Sequence, residues 1–311
     1  MLINRIGACI LALLIPGWGL AAAPSEQYPS KPVRLVVPFS PGGSTSLMAR
    51  LLSQKLADSL GQPFIVDNRG GAGGSIGGKI VARADGDGYT LMVTNPGPSL
   101  NSILLRKKPS YGFADFAPVI YIGSVPLIVV ANLKFPASNM KELVAFAKAN
   151  PGKVNWGSSG TGSNPHAALE VLKAAMGLDI VHVPYKGSGP ALTDVVSGQI
   201  QAVYTTTVTA KGFISNGRVK VLGVAGPNRQ AVIPDVPTLA EQGISGADNI
   251  VWIGLVAPAK TPPSIIQRLN GEINRILRLS DVRSLFDRLG FEVQGGSPEE
   301  FANLIKKDAD R

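Results

Sequence analysis

The apolar positions along the chain follow two alternating rhythms. Short β-rich, mostly apolar runs at Val33–Val37, 64–66 and 89–94 read as strands. Between the first two the spacing lengthens: Met48, Leu52, Leu56 and Leu60 recur every fourth residue, on one face of a helix over 45–60 that Gly61 ends. A helix over 138–150 is expected next, capped by Ser138 and stopped by Pro151-Gly152. After a strand over 154–158, Asn164-Pro165 supplies a cap and a first-turn proline for a helix ending at Gly177. The design repeats as a strand over 180–185, a glycine loop and a helix over 190–197, with further strands at 202–206 and 219–225. The C-terminal segment reads as helices opening at Thr261-Pro262, at Ser280 and at the capping box Ser297-Pro298-Glu299-Glu300. Apolar stretches near 119–131 and 249–257 are placed to cross between two lobes. The alternation predicts an α/β architecture of parallel-rich sheets flanked by helices.

A length of 311 residues allows one large or two ordinary domains, and 45% hydrophobic against 16% charged residues rules out wholesale disorder. The first residues stand apart. Arg5, an apolar run over 6–20 and then Ala21-Ala22-Ala23 read as a secretory signal peptide over 1–23, with Ala21 the favoured cleavage position. The run, about 15 residues, is short of the ~20 a membrane-spanning helix needs. Its removal takes away Cys9, the single cysteine, so the exported protein is expected in the periplasm without a thiol. With two histidines and no cysteine left, no metal site is expected.

The formal charge of +9 raises the question of nucleic acid. The basic residues are scattered, and the dense spots Arg106-Lys107-Lys108 and Lys306-Lys307 are not interleaved with aromatics, so no nucleic-acid binding is expected. Gly73–Lys79 fits much of a phosphate-cradling loop, but Ile80 stands where a Ser or Thr hydroxyl must reach Mg²⁺. In Gly160-Thr161-Gly162-Ser163-Asn164-Pro165, proline replaces the third glycine of a dinucleotide fingerprint. No cofactor is expected. Gly157-Ser158-Ser159-Gly160-Thr161 has glycine and threonine in the wrong places for a nucleophile elbow. His166, one turn before Glu170, reads as a helix-surface contact, and His182 as a polar residue on a sheet face. An enzyme is not expected; the alternative is a periplasmic hydrolase or isomerase using His166 and nearby serines.

Two strand–loop–helix units share one design. The first runs Val36-Val37-Pro38-Phe39-Ser40-Pro41-Gly42-Gly43-Ser44-Thr45-Ser46, the second Trp156-Gly157-Ser158-Ser159-Gly160-Thr161-Gly162-Ser163-Asn164. Each places glycines, hydroxyls and free N–H groups at a helix N-terminus, where orphan donors and the helix dipole favour an anion. From the residues alone, a carboxylate site and an ordinary pair of strand–helix turns both remain open.

At these residues the chain resembles the periplasmic Bug receptors, the substrate-binding components of tripartite tricarboxylate transporters. The resemblance runs through Tyr28-Pro29-Ser30-Lys31-Pro32-Val33, Asn68-Arg69-Gly70-Gly71-Ala72-Gly73-Gly74, Asp87-Gly88-Tyr89-Thr90-Leu91, Pro184-Tyr185-Lys186-Gly187 and Pro234-Asp235-Val236-Pro237-Thr238. It implies a two-lobed periplasmic-binding-protein fold of type II, with lobe 1 at 24–124 plus 252–311 and lobe 2 at 125–251. It further implies a monomer that captures a small carboxylate for the membrane permease subunits, or else an orphan receptor feeding a signalling partner. Carried over by position, Phe39, Gly43, Ser44, Thr45 and Ser46 line one wall and Ser159, Thr161, Gly162 and Ser163 the other. Asn95, beside Thr94, and Tyr204 and Thr205, before Thr206, complete the cleft. Ser46 and Thr205 stand where these receptors usually carry Asp, which implies tolerance of a more anionic ligand, since a nearby Asp would repel it.

Overall fold

The computed structural model describes residues 28–97 and 111–309; the expected signal peptide and Arg106-Lys107-Lys108 lie outside the described residues. The chain opens with β1 (Val33–Val37), α1 (Ser44–Leu60), β2 (Phe64–Asn68), α2 (Ser75–Ala82) and β3 (Thr90–Thr94). β4 (Phe116–Ala131) then leads to α3 (Met140–Ala149), β5 (Asn155–Ser158), α4 (Asn164–Met176), β6 (Val181–Pro184), α5 (Ser188–Ser197) and β7 (Ala202–Thr206). α6 (Thr207–Ser215) and β8 (Lys220–Ala225) precede β9 (Ile250–Pro258), and α7 (Pro263–Leu277), α8 (Ser280–Leu289), β10 (Glu292–Val293) and α9 (Pro298–Ala309) finish the chain.

The strands run in the order β2-β1-β3-β9-β4-β7-β5-β6, with β8 and β10 also on β4. Within β2-β1-β3 and within β6-β5-β7 the pairing is parallel; every pair that involves β4 or β9 is antiparallel. The α/β expectation holds, and the antiparallel centre makes the sheet mixed. β4 belongs to both halves: from Phe116 to Pro126 it pairs with β9, and from Leu127 to Ala131 with β7 and β8.

Apolar residues of the strands are buried on two faces. In β1, Val33, Leu35 and Val37 pack with Met48, Leu52 and Leu56 of α1, as the four-residue spacing predicts, while Val36 faces Trp252 and Phe301. In the other half, Trp156 and Tyr204 face α3 and α4, and Val203 faces α5. Gly61, in the left-handed region at φ 72, ends α1 as expected.

Several boundaries differ from expectation. Asn139, not Ser138, caps α3, its side chain accepting the Glu142 N–H. The cap of α4 is Ser163, with Asn164 already helical. α5 begins at Ser188, two residues before Pro190. α6 was not expected, because Thr207, Val208, Thr209 and Gly212 are poor helix formers; the Thr206 hydroxyl, accepting the Thr209 N–H, caps it. The capping box at Ser297 forms in both directions, Ser297 N–H to Glu300 at 2.7 Å and Glu300 N–H to Ser297 Oγ at 3.1 Å.

Phe301 anchors α9 to the outer face of the first half. It is fully buried, stacked on Tyr121 at 6.2 Å and edge-on to Trp252 at 5.4 Å, and a side chain at Gly254 would collide with its ring. Phe301→Ala is therefore expected to cost about 3–5 kcal/mol in urea denaturation. A loss under about 1 kcal/mol would show that α9 is a dispensable attachment.

Candidate functional site

The parallel strands of the two halves direct their C-terminal ends, and the helix N-termini that follow, toward a shared junction. There the two backbones touch. The Ser40 N–H donates to the Lys186 carbonyl at 2.8 Å, and the Ser44 N–H donates to Thr209 Oγ1 at 3.0 Å. A Cβ at Gly160 would sit 2.9 Å from the nitrogen of Gly73, one at Gly187 2.9 Å from that of Ser40, and one at Gly189 2.6 Å from the Pro41 carbonyl oxygen. Glycine at these positions permits the contact, because any side chain would hold the loops apart.

The first loop, 38–43, joins β1 to α1. The Phe39 ring is buried and its carbonyl accepts from Asn68 Nδ2 at 2.8 Å. Gly43 caps α1 without a side chain to close the helix end. Thr45 Oγ1 accepts from Asn95 Nδ2 at 3.3 Å, while Asn95 Oδ1 accepts the Gly97 N–H at 3.0 Å. Ser46 is buried and engaged with Asn68, whose Nδ2 donates to its Oγ at 3.2 Å.

The second loop, 159–163, joins β5 to α4. Ser159 and Ser163 are buried, and the Gly162 N–H donates to His166 Nδ1 at 3.1 Å. Thr161 is exposed and stands apart from the buried members. Tyr204 and Thr205 occupy opposite faces of β7. The Tyr204 ring lies 5.0 Å from that of Trp156 inside the core of its half, and burial raises its hydroxyl far above the usual phenol range. Thr205 is on the other face.

Buried polar atoms nearly always have partners, yet Ser75 Oγ, Ser163 Oγ, Asn164 Oδ1, Thr205 Oγ1, Tyr204 Oη and Trp156 Nε1 have none among the described residues. Ser75, Ser163 and Thr205 sit at a helix start, a helix cap and a strand end of the junction. Ser163 caps α4 yet makes no side-chain cap bond. The buried polar side chains among the described residues are all uncharged. An anion at the junction would therefore be met by hydroxyls, N–H groups and the positive ends of α1 and α4.

Sequence reasoning passed over Ser75, Thr209, Lys186 and His182. Ser75 lies inside the glycine-rich stretch whose phosphate-loop fit Ile80 breaks, which left its hydroxyl without a role. Thr209 carries no signal because α6 was not expected. His182 meets Ser158, its Nε2 lying 2.6 Å from Ser158 Oγ. This is not a catalytic pair: Ser158 is fully buried, and its Oγ also accepts the Gly160 N–H at 3.1 Å. His166 keeps its Nδ1 for Gly162, and its Nε2 lies 3.8 Å from Glu170. Among the described residues there is no cluster of His, Cys, Asp and Glu suited to a metal, and no helix long and apolar enough to cross a membrane.

Comparison with known proteins agrees with this geometry. The family model for the tripartite tricarboxylate transporter family receptor matches residues 48–311. Protein BugT of Bordetella pertussis is 36% identical over 306 residues, covering 97% of this chain and 94% of its own. MatC from Rhodopseudomonas palustris, solved with bound malate, is 34% identical with a TM-score of 0.87, covering 91% of this chain and 98% of its own. An R. palustris protein solved with adipate is 33% identical with a TM-score of 0.86, covering 90% and 94%. These relatives are solute-binding receptors rather than enzymes, and two carry carboxylates. With its mixed sheet, its glycine-lined junction and this match along most of its length, the chain belongs to the tripartite tricarboxylate transporter receptor family.

Proposed function

We propose that this protein is a periplasmic receptor that closes two lobes around a small dicarboxylate and hands it, as a monomer, to tripartite tricarboxylate-type permease subunits. Residues 1–23 act as its export signal, 24–124 with 252–311 form lobe 1, and 125–251 form lobe 2. The observation that carries this reading is the set of unpartnered buried hydroxyls of Ser75, Ser163 and Thr205 at a junction without buried charge. A carboxylate supplies the acceptors these hydroxyls and the neighbouring N–H groups lack. One carboxylate at the α1 loop and one at the α4 loop fit the paired design, and the malate- and adipate-bound relatives support ligands of that class. Diffuse positive charge on the chain, +9 overall, draws anions toward the cleft.

Closure follows from the same contacts. The Ser40–Lys186 and Ser44–Thr209 bonds join the lobes, and a ligand touching both loops favours the state in which those bonds exist.

Malate, adipate and other mono-, di- and tricarboxylates are expected to raise the thermal midpoint, dicarboxylates most, since a ligand that binds only the folded state stabilises it. A panel without any shift contradicts the reading. Removing an orphan hydroxyl changes two properties in opposite directions. Ser163→Ala or Thr205→Val is expected to leave the free protein as stable or more stable, and to weaken dicarboxylate binding by about 0.5–1.5 kcal/mol in calorimetry. Unchanged affinity would place the ligand elsewhere. Gly189→Ala separates closure from folding. Alanine favours a helix over glycine by up to about 1 kcal/mol, so the free midpoint should hold or rise, while affinity falls at least about tenfold as the new Cβ meets Pro41. Wild-type affinity in this variant would rule out closure through this contact.

A further inference from the structure

Two imidazoles lie stacked behind the second loop. The ring centroids of His166 and His182 are 4.1 Å apart with planes 27° from parallel. They come from different elements: His166 from the first turn of α4, His182 from β6, where it pairs with Trp156 of β5. Each holds one N–H of the loop. The Gly162 N–H donates to His166 Nδ1 at 3.1 Å. The Gly160 N–H donates to Ser158 Oγ at 3.1 Å, and that oxygen lies 2.6 Å from His182 Nε2. Gly160 and Gly162 have φ values of +127 and +81, so the loop relies on these bonds to select one conformation.

His166 Nδ1 accepts from Gly162, which fits a neutral ring with its proton on Nε2. A Ser158 hydroxyl that accepts from Gly160 and donates to His182 Nε2 fits a neutral His182 with its proton on Nδ1. In that arrangement the two rings are opposite tautomers.

We propose that the stacked His166–His182 pair is a proton-sensitive clamp that positions the 159–163 loop for its ligand and releases it on acidification. The inference rests on the carboxylate-receptor reading of the same cleft. A proton on His166 Nδ1 turns the acceptor of the Gly162 bond into a donor facing a donor. A proton on His182 Nε2 reverses its bond to Ser158 and, with His166 charged, sets two cations face to face. On α4, Glu170 lies 3.8 Å from His166 Nε2 and favours the cation, while Lys173 opposes it and holds Glu170 at 2.9 Å. The groups facing the rings from β5 and the loop, Ser158 and the Gly162 N–H, are neutral. Burial and then His166 push His182 down to about 4; burial also lowers His166, with Glu170 pulling it back. Both values lie below that of an unfolded imidazole, so the clamp's contribution is whole above about pH 6.5. It is lost as the pH falls from there toward about 4.

These are the two histidines of the whole chain, so their imidazole NMR signals are read without overlap from others. In the ligand-free protein, long-range proton–nitrogen spectra are expected to show opposite tautomers at neutral pH and midpoints below about 6.5. The Gly162 amide shift should follow the His166 titration. Ordinary midpoints, a shared tautomer or a Gly162 amide indifferent to His166 would overturn the clamp, whatever the protein binds. With malate as probe, affinity is expected to fall about tenfold more in wild type than in His166→Asn between about pH 7.5 and about pH 5. The Asn Oδ1 takes the acceptor position without titrating, so neutral affinity should stay within about twofold, whereas His166→Ala weakens binding at both pH values. Malate's own titration is common to all three proteins, so parallel pH profiles of wild type and His166→Asn would overturn the proposal. Failure of malate and the whole carboxylate panel to bind refutes the receptor reading instead, and the ligand-free spectra then decide the clamp.

Discussion

β4 is the constraint on which the rest depends. One uninterrupted strand, Phe116–Ala131, pairs with β9 through Pro126 and with β7 and β8 from Leu127 onward. The two parallel halves are thus edges grown from a shared antiparallel centre, and the ends of their strands are directed toward one another rather than toward separate solvent-facing rims. Register shifts in the β4–β9 pairing, between Pro118 and Ile120 and between Tyr121 and Gly123, bend the strand before it changes partners. Without that continuity the loops after β1, β5 and β6 would have no fixed relation, and the contact between Ser40 and Lys186 would not arise.

From this placement comes a junction without buried charge among the described residues. A lysine or arginine at the junction would bind an anion strongly but would require desolvating a cation whenever the cleft closed empty. Hydroxyls, loop N–H groups and helix ends avoid that penalty, because the dipoles are fixed by the fold. The orphan atoms of Ser75, Ser163 and Thr205 are unmet buried donors, which the proposed carboxylate would satisfy. The glycines contribute by what they lack: a side chain on Gly187 or Gly189 would collide with Ser40 or Pro41.

Much of this was legible in the sequence, for local reasons. The stripe of Met48, Leu52 and Leu56, the glycine stops and the Ser297 capping box depend on neighbours within a few positions, so periodicity and cap chemistry reveal them. The two loops were legible because strand, glycines, hydroxyls and helix follow in order. What escaped depends on register and tertiary context. Ser138 and Asn139, like Ser163 and Asn164, are adjacent residues equally suited to capping, and packing chooses between them. Which face Tyr204 takes follows from the parity of β7 in the sheet, not from its sequence. The meeting of His166 with His182 follows from the pairing of β5 with β6, and Thr209 reaches Ser44 from a helix whose residues do not announce one.

The central claim is that one small carboxylate ligand is gripped from both sides by the loops at α1 and α4. Amide hydrogen exchange resolved to single residues, with and without saturating malate, tests it most directly. Simultaneous added protection at Ser40, Ser44 and Thr45 on one side and at Gly162 and Ser163 on the other is the expected result. Protection confined to one loop, or lying outside both, would contradict the claim.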